Sequence, residues 1–112
     1  MNTPGFLAEV QALHPDAKTV QDHVVFDYDI PVGRQRGTRV RVGLSPPADW
    51  PLSCPSGPHV APRLGHPAGN VHASALGADW EYWSRPFNGW ADGERTVRRY
   101  MSHIRALLDQ LP

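Results

Sequence analysis

Between Ser45 and Gly69 the chain reads SPPADWPLSCPSGPHVAPRLGHPAG, and seven of its twelve prolines fall in this stretch. Each proline fixes φ and removes a backbone donor, so neither a helix nor a long central strand can run through it. Trp50, Leu52, Val60 and Leu64 nevertheless give the segment apolar side chains to bury, which distinguishes it from a flexible linker. The expectation is a set of short strand pieces around His59 to Leu64, bracketed by ordered irregular loops. Longer regular elements must then lie on either side.

On the N-terminal side, Thr3-Pro4 reads as a helix cap followed by proline in the first turn, where a missing N–H costs nothing. Phe6, Leu7, Val10 and Leu13 recur at helical spacing, and His14-Pro15 ends the run. Val24, Phe26, Tyr28 and Ile30 then alternate with Val25, Asp27 and Asp29, as in a strand with one buried face. After the turn GRQRG, Thr38, Val40, Val42 and Leu44 alternate with Arg39 and Arg41, so the two segments read as an antiparallel hairpin. On the C-terminal side, Val97, Tyr100, Met101, Ile104, Leu107, Leu108 and Leu111 form one apolar stripe at helical spacing, with Asp92 as the expected N-cap. Residues 79–90, DWEYWSRPFNGW, hold three of the four tryptophans and read as an irregular aromatic segment covering one edge of a small core. The fold class is therefore α+β, with an N-terminal helix and a long C-terminal helix packed on an antiparallel sheet in a single domain, 1–112.

Composition narrows the function. Eleven Lys and Arg balance eleven Asp and Glu, which argues against nucleic acid as a partner. Arg34, Arg36, Arg39 and Arg41 form the nearest thing to a basic stretch, and strand alternation places Arg39 and Arg41 on one solvated face. No apolar run approaches the ~20 residues of a membrane span, and no signal-peptide pattern opens the chain. The single cysteine, Cys54, leaves no internal disulfide and fits a reducing cytoplasm.

The order of these elements, with its punctuation, resembles the ubiquitin-conjugating enzyme (UBC) fold. WPLSCPSGPHV (50–60) resembles the Tyr-Pro-x-x-Pro-Pro-x-Val stretch of those enzymes. GHPAGN (65–70) resembles their His-Pro-Asn motif, and WADGERTVRRYMSHIRALL (90–108) resembles their Trp-Ser-Pro-x-x-Thr segment and following helix. WEYWSRPFNGW is similar to the Trp-x-x-Trp-Ser-Arg signature of a bacterial conjugating-enzyme-like family. The resemblance implies a carrier that accepts the C-terminus of a ubiquitin-like modifier from a ThiF-type activating enzyme and passes it to an amine, with JAB-type peptidases as further associates. It implies no cofactor. Two departures bear on the chemistry. No cysteine follows Cys54, where the family places its thiol about ten residues beyond the motif histidine. The motif asparagine is replaced by Ala68, with Asn70 displaced by two.

Ser84 is the first candidate acceptor, as an oxyester in place of a thioester, with Arg85, Asn70 and His66 shaping the site. A hydroxyl needs a general base, and His66 and His72 are the available imidazoles. The competing structural readings are that Ser84 turns the backbone before Pro86 and that His66 holds an irregular loop by side-chain to backbone bonds. Ser74 lies closer to the family's catalytic offset. Cys54 is the only thiol but lies far upstream. His59, His66 and His72, with Cys54, lack the tight spacing of a zinc site, so no metal is expected. The second reading of the whole chain is a catalytically inactive UBC-like module that binds the modifier or the activating enzyme without a covalent bond.

Overall fold

A computed structural model describes residues 3–112; the side chain of Thr3, and with it the expected cap at that position, lies outside the described residues. The element order is α1 (Thr3–Leu13), β1 (Lys18–Val20), β2 (His23–Asp29), β3 (Arg39–Leu44), β4 (His59–Ala61), β5 (Val71–Ala73), β6 (Glu81–Trp83), a 3-10 turn (Trp90–Asp92) and α2 (Val97–Asp109). The strands form one antiparallel sheet in the order β1-β2-β3-β4-β6-β5. The architecture is thus α+β, with a helix at each end of the chain.

The hairpin register pairs Val24 with Leu44, Phe26 with Val42 and Tyr28 with Val40, so the apolar alternation of the two strands falls on one face. Both helices pack on that face. Phe6 and Val10 of α1, Tyr100, Ile104 and Leu108 of α2, and Val24, Phe26, Val42 and Val60 of the sheet are all fully buried in one cluster. Arg39 and Arg41 alternate to the other face and are exposed. Val25, which periodicity assigns to solvent, is buried there with Ala61, Leu76 and Trp80 in a second, smaller cluster. The segment between β5 and β6 folds back over the sheet to make this lid. Gly43 leaves the space for it, since a Cβ at that position would stand 2.6 Å from Leu76 Cδ1. Arg41 closes the lid's rim by lying over the Trp80 ring, 5.0 Å from its centroid.

Two local expectations are corrected. The helix α2 is capped by Thr96, whose Oγ1 accepts from the Arg99 amide at 3.1 Å, and not by Asp92, which ends the 3-10 turn. Glu9 of α1 adds a second cap by accepting from the Val97 amide at 2.5 Å, a carboxylate at the positive end of the helix. The aromatic segment is not wholly irregular either, because Glu81–Trp83 is a strand. Downstream of it, Arg99 donates to the carbonyls of Gly89, Trp90 and Glu94 and lies over the Phe87 and Trp90 rings, fixing the loop 87–94 onto α2.

Candidate functional site

Ser84 follows β6 directly, and the backbone around it is held on two sides. On one side, Trp83 N–H donates to Pro58 at 2.9 Å and Arg85 N–H donates to Ser56 at 3.0 Å. This close approach depends on Gly57, where a Cβ would lie 1.9 Å from the Trp83 carbonyl oxygen. On the other side, Ser84 N–H donates to the Asn70 carbonyl at 3.0 Å. Gly69 and Asn70 both take positive φ, a conformation open to glycine and tolerated by asparagine. The 66–70 turn therefore presents its backbone, not the exposed Asn70 side chain, to Ser84.

Arg85 and His66 lock this arrangement. Arg85 Nη1 donates to the Ser84 carbonyl at 2.8 Å, and Nη2 donates to His66 Nδ1 at 3.1 Å and to the Gly69 carbonyl. His66 is buried with its ring edge-on to Trp83, centroids 5.0 Å apart. Its Nε2 lies 3.1 Å from the Leu107 carbonyl of α2, so Nε2 carries the proton. The Nδ1 lone pair then accepts from the Ala68 amide at 3.2 Å as well as from Arg85. Burial, reinforced by the Arg85 charge, holds the His66 pKa below the ordinary value against the opposing pull of Leu107 and Glu81. His103 of α2 completes the enclosure, its Nε2 donating to the Arg85 carbonyl at 2.9 Å.

The four residues singled out in sequence are thus adjacent, with Ser84 and Arg85 half-buried and Asn70 exposed. Their chemistry differs from a serine with a base. Among the described residues no group hydrogen-bonds the Ser84 hydroxyl, and the His66 lone pair is already occupied. His72 is exposed on β5, paired with Tyr82 of β6, with its ring 6.1 Å from the Tyr82 ring and its imidazole hydrogen-bonded to no described residue.

Cys54 lies far from Ser84 in sequence but not in space. It lines an open, mainly apolar cleft of about 310 Å³ together with Leu52, Pro86, Phe87 and Trp90. Sequence distance is a poor guide here because the 51–58 loop runs alongside residues 83–87. Burial raises the Cys54 pKa, against the Phe87 backbone amide and the Arg99 charge, so the thiol is held in its unreactive form.

Sequence reasoning missed one pairing. Ser74 Oγ lies 2.7 Å from Nδ1 of buried His59 and accepts from the Leu76 amide at 3.0 Å. The two are 15 residues apart and meet because the lid carries Ser74 back across β4. His59 also packs edge-on to His23, centroids 4.5 Å apart, and against Tyr82 at 4.7 Å. Burial first, then the neighbouring His23, lowers the His59 pKa to about 4.

No family model, curated protein or solved structure matches this chain. Among the described residues no group of three His, Cys, Asp or Glu side chains could hold a metal ion, and no helix is long and apolar enough to cross a membrane.

Proposed function

We propose that this chain is a ubiquitin-conjugating-enzyme-like domain of the bacterial type, working with a ubiquitin-like modifier and a ThiF-type activating enzyme in the cytoplasm. Its role is to receive the modifier's C-terminus at the Ser84 end of β6, with Ser84 as the oxyester acceptor. The observation that carries this reading is the fixed junction of Ser84 and Arg85 with the His66–Asn70 turn. That junction ties the half-buried Ser84 through Arg85 to the turn of the motif histidine, while the family's own acceptor offset falls nearer Ser74. The helix, hairpin, proline-rich loop and helix order supports the same reading at the level of topology.

A specific observation favours the second reading, a module that holds the modifier without a covalent bond. A hydroxyl is a weak nucleophile without a base, and the His66 imidazole already spends its lone pair on Ala68 and Arg85. Incubation with activating enzyme, modifier and ATP, followed by a denaturing gel, separates the two. A reductant-resistant, base-labile adduct that disappears in Ser84→Ala establishes the carrier. Binding of the modifier with no adduct establishes the inactive module. A reductant-sensitive band lost in Cys54→Ala would reject both.

A further inference from the structure

The His59–Ser74 pair stands apart from the Ser84 junction, at the opposite end of the β5–β6 hairpin. Ser74 follows immediately on β5, the border strand, whose three residues are all exposed. Among the described residues no strand lies beyond β5, and Ser74 itself is half-buried. The Leu76 amide occupies one lone pair of Oγ and fixes the side chain, and in the tautomer of His59 protonated at Nε2 the hydroxyl proton is directed to Nδ1 at 2.7 Å. This is the contact a serine nucleophile makes with its base.

We propose that Ser74 and His59 form an acylatable serine site, nucleophile and general base respectively, for activated acyl donors of the ester and thioester class. In the step, Ser74 Oγ attacks the carbonyl carbon. The new C–O bond forms as the C–S bond of the thioester breaks. The hydroxyl proton passes to His59 Nδ1 and from there to the departing thiolate, leaving a Ser74 ester and a free thiol. The weak basicity of His59, with its pKa lowered to about 4, restricts the donors. Brønsted behaviour makes such a base effective only where the leaving group departs readily, so amides are not substrates. Among the described residues no carboxylate bonds the other ring nitrogen, which points the same way. The proposal holds whether or not the chain serves a modification pathway.

The test is labelling of the intact protein with an alkyl fluorophosphonate, a serine-selective probe, followed by mass mapping of the peptides. Mapping on the wild type locates the adduct without relying on any variant to fold. The expected adduct is on Ser74. It is absent in Ser74→Ala, and it forms at least tenfold more slowly in His59→Gln with an unchanged circular dichroism spectrum. The labelling rate is flat at neutral pH and falls as the pH approaches 4. An adduct on Ser84 or any other residue, no adduct, or a rate unchanged by His59→Gln overturns the proposal.

Discussion

His59 sits under the lid at only 8% exposure, so its ionisation is set by the fold and its protonation works against the fold. Its pKa falls from an ordinary 6.5 to about 4 on folding, so between those values the unfolded chain binds more protons than the native one. Stability therefore rises with pH through this window. The contribution is complete above pH 6.5 and is lost as the pH falls toward 4. From pH 7.5 to pH 5 His59 alone accounts for a loss of about 2 kcal/mol, and His14 and His66, also shifted downward by burial, add to it with the same sign. Urea midpoints at the two pH values measure this, and His59→Gln should shrink the difference. A second residue-scale expectation concerns Tyr100, which is fully buried with a hydroxyl that has no hydrogen-bond partner among the described residues. An unmade buried bond costs free energy, so Tyr100→Phe should leave stability unchanged or raise it by about 1 kcal/mol. A fall in the thermal midpoint would count against that account.

The β4–β6 pairing and its flanking loop depend on a residue with no side chain. At Gly57 φ is +156°, and a Cβ would meet the Trp83 carbonyl oxygen, a backbone atom that cannot rotate away. Gly57→Ala should therefore cost at least about 3 kcal/mol, read by chemical denaturation, and should free the Trp83 and Arg85 amides for exchange. Elements of this sheet differ in how visibly they are written in the sequence. The β2–β3 hairpin and α2 were legible because each is long enough for its period to repeat. The strands β1, β5 and β6 span three residues each, too short for alternation to emerge, and they exist because neighbouring strands complete their hydrogen bonds. The start of α2 was misplaced for a related reason. Asp92 and Thr96 are both acceptable caps, and what decides between them is tertiary, with Arg99 holding residues 89–94 out of the helix and Glu9 reaching over from α1.

At the scale of the whole molecule, the sheet has a thick side and a thin one. The helices cover one face with the large cluster, while the smaller cluster of Leu76 and Trp80 over Val25 and Ala61 closes the other. Less apolar area holds the lid than holds the helices, so it should open without global unfolding. Native-state hydrogen exchange should show Leu76 and Trp80 amides exchanging at least tenfold faster than those of Val40 and Val42. Equal protection would mean that lid and sheet open together. The candidate site was legible only in part for the same geometric reason. Ser84, Arg85, His66 and Asn70 could be grouped from short motifs near one another in sequence. The Ser74–His59 contact and the Cys54–Phe87 cleft arise from packing between distant segments. The strand order carries one more consequence. The two borders of the sheet are β1 and β5, each three residues long. A border that short offers an incoming chain only a few backbone partners before the pairing ends, which limits how far either border can template a fibril at high concentration.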